Sequence, residues 1–257
     1  ELVITNSNFT KAEVNYSITN RNLQEYFNTT SQQITILPGF ISKSQIGEQT
    51  TLGRGGSDFT AAIIAAALKV EQLEIWTDVS GMFTTNPKLV KQAYPIEKIS
   101  YQEAMELSHF GAKVLYPPTV QPVLDLNIPI HIKNTLEPDA VGTIISNDPT
   151  PSTSPVKGIS NIGNIALLTL QGSGMIGIPG FSKRLFEVLS QEKINIILIT
   201  QASSEHSICL GIDDNDAEKA KTAIDSTFEN EIALHKIDPI IVEIDLSIIA
   251  LVGDNMK

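Results

Sequence analysis

The sequence lacks the residues that several classes of protein need. Its one cysteine, Cys209, excludes an internal disulfide and a cysteine metal cluster, and its four histidines have no ligand spacing. Cys209 lies between Ile208 and Leu210, which predicts a buried thiol. No apolar run approaches the roughly 20 residues that span a bilayer, so we expect a cytoplasmic protein without a membrane partner. Lysine and arginine number 18 against 29 acidic residues, and the net charge of −11 argues against broad nucleic-acid binding.

The most informative segment that is present is a glycine-rich turn at 51–58 (Thr-Leu-Gly-Arg-Gly-Gly-Ser-Asp). It leads into residues 59–68, whose alanine-rich and apolar composition predicts a buried helix. Ser57 is the predicted N-cap of that helix. A helix N-terminus offers unpaired N–H groups and a positive dipole end, so the turn is a candidate anion site. Its spacing is not that of a P-loop, and Arg54 suits a carboxylate because its planar fork binds two oxygens.

Two further segments combine polar residues with a strand end or a helix end. Residues 76–88 follow a predicted strand at 73–77 and carry Asp78, Phe83 and Lys88. Ligands bind at the carboxyl ends of strands in α/β proteins, although an ordinary turn would use the same residue types. Residues 110–117 place Lys113 between a helix end and a proline, where the alternative is a snorkelling side chain.

The first half of the chain alternates strand-like and helix-like segments, which predicts an α/β sheet covered on both faces. The predicted strands are Ile34–Leu37, Leu73–Thr77 and Ile128–Ile132. Between them, Ser100 to His109 has the pattern of a helix with a capping box, since Glu103 lies three residues after Ser100.

A change of pattern after residue 147 predicts a second domain. Residues 147–155 contain three prolines and four hydroxyl residues and indicate a linker. Beyond it the order is β-α-β-β-α-β, typical of a ferredoxin-like unit. The predicted elements are strands at 164–170, 194–200, 207–212 and 240–244, helices at 181–191 and 216–228, and a further strand at 247–252. A Gly-x-Gly-x-x-Gly run at 172–177 matches the dinucleotide-binding motif, but Pro179-Gly180 interrupts the expected helix start and no acidic residue ends the next strand, so a dinucleotide site is not expected.

The three motifs at 52–58, 76–81 and 110–115, in this order, resemble those of aspartate kinases of the amino-acid kinase family. The second half resembles the ACT regulatory domains of these enzymes. Segments 155–161, 198–205 and 248–254 are most similar to bifunctional aspartokinase/homoserine dehydrogenases, truncated here at both ends. The resemblance implies a three-layer αβα sheet domain of the carbamate-kinase type, followed by ACT units.

The resemblance also implies a reaction and a set of site residues. ATP and L-aspartate would give 4-phospho-L-aspartate and ADP, with Mg²⁺ held mainly through the nucleotide phosphates and without a protein metal site. The implied catalytic residues are Ser57 and Asp58, the substrate-binding residues are Thr51, Arg54, Gly55 and Gly56, and the nucleotide-binding residues are Thr77, Asp78, Phe83, Lys88 and Lys113.

Some positions depart from the family's pattern. Phe83 replaces tyrosine, Lys88 replaces arginine and Tyr116 replaces histidine. Asn86 replaces aspartate, and Ser80 replaces either an acidic residue or proline. The family's N-terminal lysine and glycine segment, which supplies a catalytic lysine, has no counterpart in residues 1–28. We therefore expect the chain to be inactive, or nearly so, by itself.

The resemblance divides the chain into a catalytic portion at 1–147, a linker at 148–155 and an ACT region at 156–257. One complete ACT unit would span about 164–244, and a partial second unit would combine 156–162 with 246–257. The implied effector is an amino acid, threonine by resemblance, and the effector-binding candidates are Gln201, Asn195, Ile197 and Met175. For Ile197 and Met175, core packing is the favoured alternative. A homodimer or higher homo-oligomer through the ACT units is expected.

Two alternatives remain open on the sequence. The chain could be a non-catalytic, amino-acid-sensing ACT module, which leaves Arg54, Ser57, Asp58 and Lys113 without a purpose. It could also belong to a kinase of the same fold that acts on glutamate, acetylglutamate or a nucleoside monophosphate.

Overall fold

The computed structural model describes residues 2–9, 12–109, 114–116, 118, 120–147, 155–175, 180–201 and 206–253. The chain forms two compact units, one of Glu1–Ser160 with Ala250–Lys257 and one of Asn161–Ile249. In the described part of the chain, no helix combines the length and the apolar composition that crossing a membrane requires.

Helices and strands alternate through the first unit and the second has a shorter set of elements. The helices are α1 (Tyr16–Thr29), α2 (Gly56–Leu68), α3 (Tyr101–His109), α4 (Gln121–Leu124), α5 (Phe181–Gln191), α6 (Ala217–Thr227) and α7 (Glu229–Ala233). The strands are β1 (Ile4–Thr5), β2 (Ile41–Ser44), β3 (Gln49–Thr51), β4 (Leu73–Thr77), β5 (Lys98–Ser100), β6 (Ile130–Asn134), β7 (Thr143–Ser146), β8 (Gly158–Gln171), β9 (Ile196–Gln201), β10 (Ser207–Asp213) and β11 (Ile241–Val252).

The first unit contains two sheets with helix α2 packed between hydrophobic clusters. The larger sheet has the order β4-β6-β7-β5, and the smaller has the order β1-β2-β3. Strands β4 and β6 are parallel, while β6 and β7 are antiparallel, so the larger sheet is mixed. Ala62 and Ala65 of α2 pack in one cluster with Leu73 and Ile75 of β4. The opposite side of α2 packs against α1 through Ile63 and Ala67, which share a cluster with Leu23 of α1 and with Leu52, the residue after β3.

The second unit has the predicted ferredoxin-like arrangement. Its sheet has the order β11-β8-β10-β9, and β10 is antiparallel to both of its neighbours. Helix α5 has the predicted bounds, because Phe181, Leu185, Val188 and Leu189 form one buried stripe. The Gly-x-Gly-x-x-Gly run therefore follows a strand whose neighbour β10 is antiparallel, which is not the parallel β-α-β unit of a dinucleotide-binding fold.

The predicted strand at Ile34–Leu37 is wrong. These residues have no regular secondary structure, and Ile34 and Ile36 are 82% and 91% exposed. A β-branched run favours an extended backbone, but a strand also needs a hydrogen-bonded neighbour. No strand of the described residues pairs with this segment, and the strands that do form follow it as β2 and β3.

Other strand predictions need correction at their ends. The strand expected at Ile128–Ile132 lies two residues later, as β6, and the strand expected at 194–200 begins two residues later, as β9. The strands expected at 240–244 and 247–252 are one continuous strand, β11. Asp245 marks the predicted break, since its φ of 58° is left-handed, and Asn164 in β8 has a φ of 56°. Asp and Asn tolerate this conformation, so a local twist replaces the predicted interruption.

Cys209 is half-buried, and the prediction of a fully buried thiol is wrong. Its neighbours Ile208 and Leu210 are 2% and 1% exposed and pack in the core of the second unit. Successive side chains of a strand point to opposite faces, so Cys209 lies on the other face of the sheet. There its sulfur accepts a hydrogen bond from Thr169 Oγ1 at 3.5 Å.

The capping box of α3 is confirmed. The Ser100 backbone N–H donates to Glu103 Oε2 at 3.0 Å, and the Glu103 N–H donates to Ser100 Oγ at 3.1 Å. The first helical residue, Tyr101, is buried, and its hydroxyl donates to the Ile128 carbonyl. This bond connects α3 to the segment that precedes β6. Burial raises the pKa of the Tyr101 hydroxyl to about 12.

We expect Tyr101→Phe to lower the free energy of unfolding by about 1–3 kcal/mol at pH 7, because the buried Ile128 carbonyl loses its donor. Since the pKa of Tyr101 is higher in the folded state, its contribution is complete below the ordinary value of 10.0 and is lost as the pH rises towards about 12. Urea unfolding at several alkaline pH values measures both effects. Tyr101→Phe should not show this loss of stability at alkaline pH. The control Tyr94→Phe, at an exposed site, should still show it. Identical alkaline slopes for wild type and Tyr101→Phe would contradict the assignment.

Candidate functional site

The glycine turn reverses the chain between β3 and α2. Gly53 and Gly55 have φ values of 72° and 67°, which favour glycine, and the Gly56 N–H donates to the Gly53 carbonyl at 3.1 Å. Helix α2 therefore begins at Gly56 with Gly55 as its N-cap, and no side-chain hydrogen bond caps it. The prediction that Ser57 is the N-cap is wrong, because the left-handed glycines start the helix earlier. Ser57 instead lies exposed in the first helical turn.

A second loop, residues 38–40, packs directly on the first turn of α2. A Cβ atom on Gly39 would lie 2.9 Å from the Ser57 Cα, and one on Gly56 would lie 2.7 Å from the Phe40 ring. The Phe40 N–H donates to Thr60 Oγ1 at 3.0 Å, and Thr60 Oγ1 donates to the Gly56 carbonyl at 2.8 Å. Glycine at both positions permits this close approach, which fixes where the N-terminal turn of α2 lies.

Arg54 is exposed at the tip of the turn and lies over the ring of Tyr116. Its guanidinium carbon is 5.3 Å from the ring centroid, within the range of a cation–π contact. The structure thus brings the first predicted motif next to the residues that follow the third. Lys113, the predicted nucleotide-binding residue of that third motif, lies outside the described residues.

Asp58 occupies the third position of α2, close to the positive end of the helix dipole. Its side chain is half-buried, and burial raises the pKa of the Asp58 carboxyl above the ordinary value. Thr51, the last residue of β3, is also half-buried and pairs with Ile41. Among the described residues, no group of three or more His, Cys, Asp or Glu side chains could hold a metal ion.

The Asp78 turn lies at the carboxyl edge shared by two parallel strands. Thr77 and Asn134 are register partners at the ends of β4 and β6, and the Thr135 N–H donates to the Thr77 carbonyl at 2.8 Å. The Thr77 hydroxyl donates to Asp78 Oδ1 at 3.2 Å. Asp78 itself is exposed at this edge.

Polar bonds connect this turn to the loop after β6. Asn134 Nδ2 donates to Ser80 Oγ at 2.8 Å, and Ser80 Oγ donates to Glu137 Oε2 at 2.7 Å. Behind the turn, Thr143 Oγ1 accepts from the Met82 N–H at 2.8 Å and donates to the Ile96 carbonyl at 2.6 Å. These bonds hold both ends of the segment from 78 to 96.

Phe83 and Lys88 both lie on this held segment. Phe83 is half-buried and forms an isolated β-bridge with Pro95. Lys88 is exposed in a turn that Asn86 stabilises by accepting the Lys88 N–H at 3.0 Å. The single tryptophan, Trp76, is adjacent to Thr77 and lies under the Lys133 ammonium group, 4.5 Å from the ring centroid. Trp76 is therefore a built-in spectroscopic reporter for this edge.

The glycine turn and the Asp78 turn lie at the same end of the first unit. Residues 69–72 connect α2 directly to β4, against which α2 packs, so the helix and the strand run antiparallel. Helix α2 is about 20 Å long and β4 about 16 Å, which brings the N-terminal turn of the helix to the level of Thr77. A ligand that contacts both turns would extend across this end of the unit.

Comparison with known families identifies this arrangement. The sequence profile of the amino acid kinase family matches residues 2–134, which is more than half of the chain. The chain belongs to the amino acid kinase family. A profile of the ACT domain matches residues 168–228 in the second unit of this amino acid kinase.

Individual proteins that are similar to this chain are consistent with this family. The bifunctional aspartokinase/homoserine dehydrogenase of Haemophilus influenzae is 46% identical over 230 residues, which cover 90% of this chain and 28% of that protein. Aspartokinase III of Escherichia coli, solved in complex with lysine and aspartate, is 33% identical with a TM-score of 0.78, over 99% of this chain and 56% of that one. The same enzyme in complex with aspartate and ADP has a TM-score of 0.73, with 33% identity and the same coverage. This amino acid kinase chain thus spans about a quarter of the bifunctional relative's length.

The four effector candidates of this amino acid kinase lie in different environments of the second unit. Gln201 ends the edge strand β9 and is exposed, as is Asn195 just before that strand. Ile197 is half-buried within β9. Met175 is 5% exposed and packs in the hydrophobic core, which favours the packing interpretation for this residue.

Gly39, Phe40 and Tyr116 contact residues of the candidate site, and the sequence predicted no role for them. The Pro-Gly-Phe run at 38–40 was available as a turn signal, since proline and glycine mark turns. Its position against α2 depends on contacts between residues about 18 positions apart. The proximity of Tyr116 to Arg54 has no local signal, because 61 residues separate them.

We expect Asp58→Asn to change how stability depends on pH. The folded-state pKa of Asp58 is raised, so its contribution to stability is complete below the ordinary value of 3.8 and is lost as the pH rises through the folded-state pKa. Asparagine cannot ionise, so the variant should gain stability relative to wild type over that pH window. Urea unfolding followed by Trp76 fluorescence measures the difference. Ser57→Ala is the control and should keep the wild-type pH dependence, whereas parallel pH curves for wild type and Asp58→Asn would refute the prediction.

Proposed function

We propose that this chain carries the aspartate-binding and nucleotide-binding residues of an aspartate kinase, which transfers the γ-phosphoryl group of ATP to the side-chain carboxylate of L-aspartate. The observation that carries the proposal is Arg54 at the open start of α2. Its side chain is exposed, and no carboxylate of the described residues forms an ion pair with it. Relatives whose structures contain aspartate support the same substrate.

The proposed chemistry needs positioning more than it needs a covalent intermediate. An ionised carboxylate oxygen of aspartate attacks the γ-phosphorus, the bond to the bridging oxygen of ADP breaks, and no proton has to be removed from the nucleophile. Arg54 holds a carboxylate of aspartate through its two parallel N–H donors. Thr51, Gly55, Gly56 and Ser57 surround the substrate, and the N–H groups of the uncapped helix start stabilise negative charge. Asp58 orients the groups around it.

The Asp78 edge is the proposed nucleotide site. Thr77 and Asp78 position the nucleotide, Phe83 covers the base, and Lys88 and Lys113 contact the phosphates. The structure of aspartokinase III in complex with ADP shows that a related protein binds a nucleotide, and this supports the proposal. Mg²⁺ would be held mainly through the nucleotide phosphates, whose charge it would neutralise.

We also propose that the second unit binds an amino-acid effector, with Gln201 and Asn195 as the leading residues and Ile197 and Met175 beside them. Threonine is the proposed effector because the resemblance to bifunctional aspartokinase/homoserine dehydrogenases implies it. This chain is 46% identical to the bifunctional enzyme of H. influenzae and 36% identical to the lysine-sensitive aspartokinase 3 of E. coli. The domain boundaries at 147 and 156 and a homo-oligomer through the ACT region belong to the same proposal. An effector inhibits only if it binds one conformational state better than another.

Arg54→Ala should weaken L-aspartate binding by about 100-fold and Arg54→Lys by about 10-fold, because lysine keeps the charge but loses the bidentate fork. Isothermal titration of the chain with L-aspartate measures the loss. Titration with ADP, followed by Trp76 fluorescence, should be unaffected by either substitution.

Arg21→Ala removes an exposed arginine of α1 and serves as the matched control, with wild-type affinity expected. Wild-type aspartate affinity in Arg54→Ala would overturn the assignment of Arg54. Binding of an effector amino acid without any binding of ADP or aspartate would instead favour the sensing module without catalysis.

Titration calorimetry with L-threonine, L-lysine and L-methionine tests the effector. We expect heat with L-threonine, and we expect Gln201→Ala to abolish it because an exposed amide at the end of β9 is lost. Gln191→Ala, at the exposed end of α5, should bind as wild type does. Absence of heat with L-threonine well above millimolar concentration would refute the threonine assignment, and heat with L-lysine alone would replace it.

A further inference from the structure

We propose that Tyr116 is a positioning residue for the substrate carboxylate, because its ring holds the Arg54 guanidinium in the orientation that the substrate meets. The inference rests on the proposed function of Arg54 as the carboxylate-binding residue. It adds a residue of the segment after α3 to a site otherwise formed by the turn between β3 and α2.

The contact between Arg54 and Tyr116 uses the ring face and leaves the donors of arginine available. The guanidinium carbon lies 5.3 Å from the ring centroid. A cation over an aromatic face is attracted to the π-electrons and needs no N–H hydrogen bond for this attraction. The two parallel N–H groups that recognise a carboxylate are therefore not consumed by the contact.

Arg54 needs such a support because the turn that carries it provides few contacts that would restrict its side chain. It lies between the left-handed glycines Gly53 and Gly55, and a Cβ atom at Gly53 would meet nothing within 4 Å. A long arginine side chain on an open turn loses rotamer freedom when it binds a ligand, and this lowers affinity. The Tyr116 ring restricts those rotamers before the ligand arrives, so less freedom is lost on binding.

Tyr116 can act as a support because the residues just before it are packed in the hydrophobic core. The preceding residue, Leu115, is 4% exposed and packs in the same hydrophobic cluster as Ala62 and Ala65 of α2. Val114 packs against this cluster as well. Helix α2 thus anchors both partners, since Arg54 lies just before its first turn and Tyr116 follows a residue buried beside it.

The experiment separates the ring of Tyr116 from its hydroxyl. Tyr116→Leu removes the aromatic face, and Tyr116→Phe retains it. We expect the dissociation constant for L-aspartate, from titration calorimetry of the chain, to rise about two- to fivefold in Tyr116→Leu, the value of an exposed cation–π contact. Tyr116→Phe should restore wild-type affinity, and ADP affinity should be the same in all variants.

Tyr26→Leu on α1 is the matched control, because Tyr26 and Tyr116 have nearly equal exposure, 38% and 37%. This control should bind aspartate as wild type does. Wild-type affinity in Tyr116→Leu, or equal weakening in the leucine and phenylalanine variants, would overturn the positioning role. Weakened binding of ADP together with aspartate in Tyr116→Leu would also overturn it, because it would indicate a general structural effect.

The outcomes distinguish the inference from the function on which it rests. If wild type does not bind L-aspartate, or if Arg54→Ala binds it normally, the proposed function fails and the inference fails with it. If Arg54→Ala loses binding while Tyr116→Leu does not, only the role of Tyr116 fails.

Discussion

The burial of α2 between two hydrophobic clusters positions the other elements of the first unit. Alanine and isoleucine side chains of α2 pack against the larger sheet on one side and against Leu23 of α1 and Leu52 on the other. A helix that is apolar around most of its circumference is stable only when it is covered on opposite sides. The N-terminal turn of α2 is consequently held at a fixed place in the unit. The same burial positions the glycine turn that precedes the helix and the strand β4 that comes after it.

This burial places a candidate anion site in an acidic protein. The net charge of −11 repels anionic ligands at long range, so binding must come from groups close to the ligand. The start of α2 provides such groups through its uncapped N–H donors and the exposed Arg54. Small residues are essential there, because Gly39 and Gly56 allow the loop at 38–40 to contact the helix. The proposed aspartate site is thus a consequence of close packing as much as of charge.

Elements with a strong local signal were predictable from the sequence. Helix α5 has the predicted bounds because its buried stripe has helical spacing, and α3 begins with the predicted capping box. The β-α-β-β-α-β order of the second unit was also predictable, since its strands and helices have clear and different periods. The predicted strand at Ile34–Leu37 was wrong because no described strand pairs with this segment. The predicted cap at Ser57 was wrong because the left-handed Gly55 is the N-cap and the helix already begins at Gly56.

Local sequence was enough to predict the residue types available for chemistry and the structure around them: Arg54 among glycines, Asp78 after a strand, and a capping serine before α3. Which of these residues meet depends on the packing of the whole unit. The approach of Tyr116 to Arg54, the packing of Gly39 on Ser57 and the bond from Asn134 to Ser80 join residues 18 to 62 positions apart. Such contacts depend on the burial of α2 and on the parallel pairing of β4 with β6, and no single segment encodes either of them.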